Sequence, residues 1–388
     1  MGKADNPGAP SGQSSTELLI VGGGVMGLWA AVKADRLGIK TMLVEAAEPG
    51  RGASAGLIGA LMAHMPDKWN DKKQFQFDAL VALEGEVARL EAETGLSCGY
   101  RRTGRLIPLP KPHLVDIARR HAQDAQTHWH KDGRQFAWNV LETTPDAGWL
   151  DASIGQAGVV FDTLAAHAAP RKAGAALIAA VRQARNVRLV EHTTVAGFDG
   201  DQAVLADGSR ISFGHAIIAN GHQAFPLIES LGPALAKPLG MPVKGQSAML
   251  RADIDPALPV IFLGGVYVVA HDGHVAVGST SEEGFDDPFS TDDKLEVLIA
   301  RAREISPALA DAPVVERWAG LRPKAMNRDP MVGPHPDHPR ILALAGGFKV
   351  SFGIAHRLAD CVLDAVAGKP MAVPNSFFLE NHLTVARA

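Results

Sequence analysis

Near the start of the chain, two continuous apolar runs flank a glycine-rich turn and a helical segment. The first run covers 18–21, and the second ends at Val44, directly before Glu45. Continuous apolar runs of this length are typical of strands that are buried on both faces of a parallel sheet. Residues 18–45 therefore predict one βαβ unit, in which a buried strand, a glycine turn and a helix are followed by a second buried strand ending at an acid.

The turn of this unit has the spacing Gly22-x-Gly24-x-x-Gly27. Gly22 permits a tight turn, Gly24 lets a pyrophosphate approach the backbone, and Gly27 lets the helix pack closely on the strand. The helix N-terminus offers free N–H groups and the positive end of its dipole to phosphates. Glu45, at the tip of the second strand, can accept both hydroxyl protons of an adenosine ribose and would repel a 2′-phosphate. The combination predicts a dinucleotide site rather than an incidental turn.

The middle of the chain predicts further elements of an α/β fold. An amphipathic helix is expected over 173–182 and a strand over 187–195. A hairpin is expected over 203–213, around Asp207-Gly208, and a buried strand follows over 215–221. A hairpin inserted between parallel strands differs from the simple six-strand array of nicotinamide dehydrogenases.

The C-terminal part predicts a second place where a strand meets a glycine turn. Within residues 340–353, the apolar run 341–345 is predicted to be a strand that meets a glycine turn at Gly346 and Gly347. A helix is expected over 354–367, stopped by Gly368 and Pro370. A second helix N-terminus is thus available to the ligand.

Composition limits the function without naming it. A chain of 388 residues can form two domains, and its net charge of -4 indicates no electrostatic field for nucleic acid. No apolar run reaches transmembrane length, and no close His or Cys cluster suggests a metal site. Cys98 and Cys361 lie far apart, which favours buried thiols and a cytoplasmic protein. Residues 1–15, rich in Gly, Pro and Ser, predict a disordered lead-in.

From about residue 17 onward the chain resembles the D-amino acid oxidase family of flavoproteins, most closely its glycine oxidase and sarcosine oxidase-like branch. The resemblance rests on motifs that occur in family order: GGGVMG with Glu45, the small-residue run 49–60, HTTV at 192–195, PVKGQ at 242–246, YVVAHDGHVAVGST at 267–280, WAGLRP at 318–323 and ILALAGGFKVSFGI at 341–354.

The resemblance implies a mixed α/β fold of two interleaved domains. The FAD-binding domain, built on the Rossmann-like βαβ unit, would comprise 16–65, 150–225 and 320–388. A substrate domain built on an antiparallel sheet would comprise 66–149 and 226–319. Its sheet would cover the flavin.

The resemblance also implies which residues contact FAD. Val195 would present its backbone to adenine, and Gly347–Ile354 would run beneath the pyrimidine edge of the flavin. There Lys349 and a helix dipole would stabilise the negative charge of reduced flavin. The implied cofactor residues are Gly22, Gly24, Val25, Met26, Gly27, Glu45, Ala46, Arg51, Gly52, Ala53, Ser54, Gly56, Leu57, Val195, Ala219, Gly221, Gly347, Phe348, Lys349, Val350, Ser351, Phe352, Gly353 and Ile354. Among these, Ser54 can bond a phosphate oxygen and Arg51 can offset phosphate charge.

Two residues match the substrate contacts of the family. Arg322, in WAGLRP, matches the arginine that anchors the substrate carboxylate through two parallel hydrogen bonds. Tyr267 matches a tyrosine whose hydroxyl caps that carboxylate. The alternatives are a structural salt bridge for Arg322 and an ordinary half-buried strand residue for Tyr267. With Lys349, these two form the predicted catalytic set.

The resemblance implies oxidation of the C–N bond of a small amino acid or an N-substituted glycine. Hydride transfer to FAD would give an imine that hydrolyses, and dioxygen would reoxidise the flavin with formation of hydrogen peroxide. Noncovalent FAD is expected because 324–334 contains no cysteine for a flavin linkage. The implied partners are a carboxylate-bearing amine and an electron acceptor, with no nucleic acid and no membrane span; a homo-oligomer is left open.

Four alternatives stay open on the sequence. The enzyme could be a dehydrogenase of an amino or 2-hydroxy acid that passes electrons to a quinone or a partner subunit. It could also be a subunit that holds FAD without primary chemistry, a nicotinamide dehydrogenase, or a tRNA-modifying oxidase, to which the Gly52-Ala-Ser motif points. The lack of an excess of basic residues disfavours RNA as a substrate.

Of the histidines, His64 is a candidate for the flavin face, while His271 and His274 are expected to be solvated beside a turn.

Overall fold

The computed structural model describes residues 14–388. Within this range the strands, in chain order, are β1 (Ser14–Val21), β2 (Thr41–Val44), β3 (Ala60–Leu61), β4 (Arg105–Pro108), β5 (His130–Lys131), β6 (Arg134–Gln135), β7 (Trp138–Leu141), β8 (Val159–Asp162), β9 (Ala166–His167), β10 (Val187–Val190), β11 (Val195–Asp199), β12 (Gln202–Leu205), β13 (Arg210–Ile218), β14 (Gly240–Arg251), β15 (Val260–Leu263), β16 (Val266–His271), β17 (His274–Gly278), β18 (Val314–Ala325), β19 (Met331–His335) and β20 (His338–Ala345). The α-helices are α1 (Val25–Arg36), α2 (Asp71–Thr94), α3 (His113–His128), α4 (Pro170–Gln183), α5 (Ala224–Glu229), α6 (Asp293–Ile305), α7 (Ser351–Val366) and α8 (Leu379–Arg387).

The first sheet contains the predicted βαβ unit. Its strand order is β10-β2-β1-β13-β12-β11, with β20 beside the C-terminal half of β13 and β19 beside β20. The strands β10, β2, β1, β13 and β20 are parallel, whereas β11, β12 and β19 join antiparallel. The hairpin around Asp207-Gly208 is confirmed by the pairing of β12 with β13.

The two faces of this sheet pack against different helices, because consecutive strand residues point to opposite sides. Leu18 and Ile20 of β1 join a core formed with α1, α2, α4 and α7. Leu19 and Val21 join a second core on the other face, with α5 and α8. The continuous apolar run of β1 is therefore buried on both faces, as a parallel strand flanked by helices requires.

Three sequence expectations about this sheet are corrected. The single strand over 187–195 is wrong, because β10 ends at Val190 and β11 begins at Val195. Between them the backbone N–H of Thr193 donates to the carbonyl of Glu45 at 2.9 Å, which draws the segment across the end of β2. The C-terminal helix begins at Ser351 rather than Ile354, directly after a 3₁₀ turn.

The third correction concerns the start of the chain. A disordered lead-in over 1–15 is wrong for its last two residues. Ser14 and Ser15 belong to β1 and pair with Ile211 and Ser212 of β13. The rest of the predicted lead-in, residues 1–13, lies outside the described range.

The second sheet has the order β18-β14-β17-β16-β15-β4-β8-β7 and is antiparallel except for the β4–β15 pair. Helix α6 covers its outer face with Leu295, Leu298 and Ile299. Its inner face carries a small apolar cluster, made with Leu57 and neighbouring residues, that faces the first sheet. The expected layout of a Rossmann-like unit and an antiparallel sheet is confirmed. Segment 150–225 contributes to both sheets, since β8 belongs to the second.

The structure also bears on the cysteines, on membrane spans and on metal sites. Cys98 and Cys361 are free and buried, as expected. Within residues 14–388, no helix is both long and apolar enough to cross a membrane. In the same range, no group of three or more His, Cys, Asp or Glu side chains is arranged to hold a metal ion.

Candidate active site

A cavity of about 910 Å³ lies between the two sheets and brings together residues from both ends of the chain. The first sheet contributes the glycine turn after β1, the end of β2 and the loop before α7. The second sheet contributes side chains of β15, β16 and β18 from its inner face. The carboxyl ends of parallel strands meet here, which is where open α/β sheets bind their ligands.

Most of the predicted cofactor residues line this cavity. Gly27, Gly347 and Ile354 do not line it, but each is next in sequence to a residue that does. The predicted residues on the wall are Gly22, Gly24, Val25, Met26, Glu45, Ala46, Arg51, Gly52, Ala53, Ser54, Gly56, Leu57, Val195, Ala219, Gly221, Phe348, Lys349, Val350, Ser351, Phe352 and Gly353, with Tyr267 and Arg322 of the substrate set.

The glycine turn has no room for side chains at two of its motif positions. A Cβ at Gly22, which has φ +106°, would lie 2.5 Å from Cα of Asn220. A Cβ at Gly27 would lie 1.9 Å from the carbonyl oxygen of Gly22. Gly24 is different, because a Cβ there would meet only the hydroxyl of Ser54, at 3.4 Å, on the cavity side. The first and third glycines are therefore required by packing, whereas the backbone of the second is uncovered on the cavity wall.

The carboxylate of Glu45 is held in place by two backbone N–H groups. Its Oε2 accepts a hydrogen bond from the N–H of Gly23 at 2.6 Å, and its Oε1 accepts one from the N–H of Ala47 at 2.9 Å. A carboxylate oxygen can accept more than one hydrogen bond, so both oxygens keep acceptor capacity for ligand hydroxyls. The acid at the end of β2 is positioned as the sequence predicts.

Ser54 lies at the N-terminus of α1. Its hydroxyl oxygen accepts a hydrogen bond from the N–H of Val25, the first residue of the helix, at 2.9 Å. A small 3₁₀ turn, Gly52–Ala55, holds it there. Arg51 lies at the cavity mouth, but its guanidinium is exposed and donates to Glu48 at 2.8 Å. Its expected role of offsetting phosphate charge would require it to leave this partner.

The loop before α7 forms the wall beside the start of α1. A Cβ at Gly347 would lie 2.3 Å from Cε of Met26, the flexible end of a side chain on α1, so the two segments are in close contact. Phe348 and Lys349 lie in the 3₁₀ turn Phe348–Val350, and α7 begins at the next residue. Burial lowers the pKa of Lys349, and the nearby cation of Arg322 lowers this pKa further.

Arg322 is held by β18 and by hydrogen bonds to neighbouring strands. Its Nη1 donates to Oγ of Ser279 at 2.9 Å, and its Nη2 donates to the carbonyls of Thr280 at 2.5 Å and Lys244 at 3.3 Å. Its Nε is buried and has no hydrogen-bond partner among the described residues. The Cζ atom lies 5.6 Å from the ring centroid of Phe348. Burial lowers the pKa of Arg322 to about 10, which still leaves it protonated at neutral pH.

Tyr267 lies on β16, on the same inner face of the second sheet. Its ring centroid is 4.8 Å from that of Phe262, its cross-strand neighbour on β15. Burial raises the pKa of the Tyr267 hydroxyl, whereas the cations of Arg105 and Arg322 act in the opposite direction. The hydroxyl is therefore protonated at neutral pH and near two guanidinium groups. The structure brings Tyr267, Arg322 and Lys349 to one cavity.

The histidine expectations have different outcomes. His64 lines the cavity, and its backbone N–H donates to Oε1 of the buried Gln76 at 3.0 Å. Burial and the nearby Lys73 lower the pKa of His64, so its ring is neutral at pH 7. His271, expected to be solvated, is 7% exposed, and its Nε2 lies 3.1 Å from the carbonyl oxygen of Ile58. That expectation is wrong because the chain after Leu57 folds over the end of β16.

Several residues on the cavity wall were missed by sequence reasoning. Asn220, Gln76 and Arg105 carry no motif of their own. Arg105 is the most informative of them, because it is a buried arginine in an otherwise apolar strand, RLIP. Its partner Asp162 ends the equally apolar strand VVFD. Opposite charges within two apolar strands are a sequence signal for a buried pair.

Comparison with known proteins identifies the class of this enzyme. Residues 17–361 match the family described as DAO, FAD dependent oxidoreductase. Since the match covers most of the chain, the protein belongs to this family. It is an FAD-dependent oxidoreductase, and the resemblance drawn from the motifs is confirmed.

The relatives within the family include glycine oxidases. The chain is 29% identical over 367 residues to glycine oxidase from Pseudomonas aeruginosa, covering 92% of this chain and 96% of that protein. It is 26% identical over 367 residues to glycine oxidase from Bacillus licheniformis, covering 92% and 94%. The crystal structure of glycine oxidase from Geobacillus kaustophilus superposes with a TM-score of 0.83 at 24% identity, covering 94% of this chain and 98% of the other. That likeness shows that the fold is shared.

Proposed function

We propose that the protein oxidises the C–N bond of a small amino acid or an N-substituted glycine. The observation that carries the proposal is the placement of Arg322 and Tyr267 on the wall of the same cavity as the glycine turn. The similarity to glycine oxidases, which are amine-oxidising enzymes by name, supports the same class of substrate.

The residues present fit FAD. The open backbone at Gly24 and the N-terminus of α1 would hold the pyrophosphate, and Ser54 would donate its hydroxyl proton to a phosphate oxygen. Glu45 would accept hydrogen bonds from the ribose hydroxyls. The start of α7, with Lys349, would lie beside the flavin. When bound, FAD accepts the two electrons of the broken C–H bond.

Arg322 would bind the substrate carboxylate. A guanidinium has five N–H donors, and the hydrogen bonds to Ser279, Thr280 and Lys244 occupy only part of them. Nη1 makes only one of these bonds, so its second N–H is left for an incoming carboxylate oxygen. The bonds to protein acceptors fix the plane of the guanidinium, which sets the orientation of the substrate.

Tyr267 would donate its hydroxyl proton to the same carboxylate. Its raised pKa keeps the hydroxyl protonated across the neutral range, so it acts as a donor and not as a base. With the carboxylate held at two points, the Cα of the substrate is oriented and the amine is removed from water. The Cα–H bond then breaks with departure of a hydride, while the nitrogen lone pair forms the imine.

No protein base is required for this step if the bound amine is neutral. Water then hydrolyses the imine, which releases ammonia or an amine and leaves a 2-oxo acid or an aldehyde acid. We propose dioxygen as the electron acceptor, with hydrogen peroxide as the product, and the cytoplasm as the compartment.

The experiment is anaerobic mixing of the purified holoenzyme with a panel of amino acids and N-substituted glycines. Loss of the oxidised flavin absorbance identifies the substrates. If no amine bleaches the flavin but a 2-hydroxy acid does, the proposal is wrong in its substrate class. Admission of air followed by a peroxide assay then separates an oxidase from a dehydrogenase that needs a quinone or a partner subunit.

A further inference from the structure

A second buried arginine lies on the inner face of the second sheet. Arg105 is 2% exposed, lines the cavity and begins β4. It is in register with Val260 of the neighbouring strand β15. Val260 precedes Phe262 by two residues, and Phe262 is paired with Tyr267. Because residues two apart share a face of a sheet, Arg105 and Tyr267 lie on one face, two strands apart.

Arg105 is positioned by a buried carboxylate. Its Nε donates to Oδ2 of Asp162 at 2.5 Å, and the Oδ1 of Asp162 accepts from the N–H of Ala165 at 2.8 Å. Its Cζ lies 5.7 Å from the ring centroid of Trp138. Asp162 is fully buried, so the pair is a fixed part of the sheet rather than a surface salt bridge.

One terminal nitrogen of this guanidinium is left without a partner. Nη2 of Arg105 is buried and donates to no acceptor among the described residues. Buried donors are nearly always paired in folded proteins, and an unpaired one calls for an explanation. The guanidinium therefore has donors that no described residue uses, and Arg105 lines the cavity, where a ligand acceptor could use them.

Asp162 neutralises the positive charge of Arg105 but accepts a hydrogen bond only from its Nε. The two arginines near Tyr267, Arg105 and Arg322, differ in their hydrogen-bond partners. Arg322 donates to a hydroxyl and to backbone carbonyls, and none of its hydrogen-bond partners in the described part of the chain is a carboxylate. Arg105 can donate a directed hydrogen bond, while its charge is balanced by Asp162. Tyr267 is near both.

We propose that the preferred substrate carries a second carboxylate, which accepts a hydrogen bond from the guanidinium of Arg105 while Arg322 binds the first. This rests on the proposed function, which places the first carboxylate at Arg322. The substrate class is a dicarboxylic amine, such as an N-carboxymethyl amino acid or an amino dicarboxylic acid. Glycine, with one carboxylate, engages only Arg322.

The test of binding uses probes that contain no amine. Thiodiacetate has the outline of N-carboxymethylglycine with sulfur in place of nitrogen, and (methylthio)acetate is its counterpart with one carboxylate. Titration calorimetry on the oxidised holoenzyme measures both dissociation constants. We expect thiodiacetate to bind about tenfold more tightly or better, as a charge-assisted hydrogen bond provides.

The variant Arg105→Lys keeps a cation for Asp162 but removes the extra N–H groups. It should abolish the preference for thiodiacetate and leave (methylthio)acetate binding unchanged. Arg102→Lys is the control, because Arg102 donates to the carbonyls of Leu164 and Leu80 and does not line the cavity. If Arg105→Lys fails to fold, the double variant Arg105→Gln with Asp162→Asn removes both charges together and should show the same loss.

The outcomes separate this inference from the function on which it rests. The proposal that Arg105 binds a second carboxylate is wrong if the parent binds the two probes equally. It is also wrong if Arg105→Lys still prefers thiodiacetate. Anaerobic mixing with iminodiacetate and N-methylglycine then tests the reaction. Flavin bleaching by both with equal affinity overturns the inference alone, whereas a thiodiacetate preference without bleaching by any amine overturns the proposed function alone.

Discussion

Gly245 leaves the space that the guanidinium of Arg322 occupies. A Cβ at Gly245 would lie 2.4 Å from Nη2 and 2.5 Å from Cζ of Arg322. The two residues lie on the paired strands β14 and β18. The contact is with the end of a flexible side chain, so a methyl group would displace the guanidinium rather than the backbone.

Gly245→Ala should therefore impair substrate binding without unfolding the protein. We expect KM for the carboxylate substrate to rise roughly tenfold, since a charge-assisted hydrogen bond is worth about 1.5–3 kcal/mol. FAD content and Tm should stay near those of the parent. Gly174→Ala is the control, because a Cβ there meets no atom of residues 14–388 within 4 Å. An unchanged KM in Gly245→Ala would show that the position of the guanidinium does not govern binding.

Arg322→Lys should weaken substrate binding while FAD content is retained. Lysine keeps the charge but loses the planar fork, which is expected to remove about 1.5–3 kcal/mol of binding, or roughly ten- to 150-fold in affinity. Steady-state kinetics with a carboxylate substrate measures the loss. Arg317→Lys is the matched control on the same strand, because Arg317 is paired with Glu296 on the surface. Equal kinetics in Arg322→Lys and the parent would remove Arg322 from the site.

The rate of flavin reduction should rise with pH until the bound amine is neutral. His64, with its lowered pKa, is already neutral at pH 7, and Tyr267, with its raised pKa, stays protonated. Neither group is therefore expected to set the midpoint. Stopped-flow reduction with two N-substituted glycines of different amine pKa should give two midpoints that follow the substrates.

The same experiment has two informative variants. Lys349→Met should slow reduction at every pH, because a positive charge beside the flavin is lost, while the midpoint stays with the substrate amine. His64→Gln should leave the midpoint in place. A midpoint that ignores the substrate and moves in His64→Gln would show that a protein base takes the amine proton.

FAD should be released by acid precipitation. The motivation is the absence of cysteine from 324–334, together with free thiols that are both buried away from the cavity. The measurement is flavin absorbance in the supernatant and the pellet after precipitation. Yellow colour that remains in the washed pellet would demonstrate a covalent bond.

Acid should destabilise the protein through buried histidines. Burial lowers the pKa of His356 to about 3, and its ring nitrogens have no partner among residues 14–388. Below pH 6.5 the unfolded chain binds a proton that the folded chain does not, so stability falls as pH decreases towards about 3. The loss is roughly 1.4 kcal/mol per pH unit for one group.

Urea unfolding at pH 7 and pH 5 measures this effect. His356→Leu should reduce the difference in unfolding free energy between the two pH values by about 2 kcal/mol. His130→Leu, at an exposed position, is the control. The same pH dependence in parent and His356→Leu would show that His356 is not kept neutral by the fold.

Local sequence patterns were sufficient for the βαβ unit. The apolar runs, the glycine spacing and Glu45 lie within thirty residues of one another, and their geometry depends on nearby backbone. Contacts between segments far apart in the sequence could not be predicted from local patterns. The strand expected over 187–195 is broken by a hydrogen bond to Glu45, and His271 is buried by the chain at Ile58.

On the substrate side of the cavity, too, some residues could be predicted from local sequence and others could not. Arg322 and Tyr267 could be named because they lie in motifs. Arg105 could not, since its place in the cavity depends on the pairing of β4 with β15 and β8. The register of these strands is set by packing against the rest of the sheet, which a single sequence does not display.

The glycine turn after β1 and the start of α7 line one cavity, although they lie far apart in the sequence. The glycine turn is synthesised well before β20 and α7. A nascent chain on the ribosome therefore carries the dinucleotide fingerprint before the C-terminal lining of the cavity exists. FAD binding is consequently expected only after α7 has been made, and truncation before β20 should remove it while the whole N-terminal motif is still present.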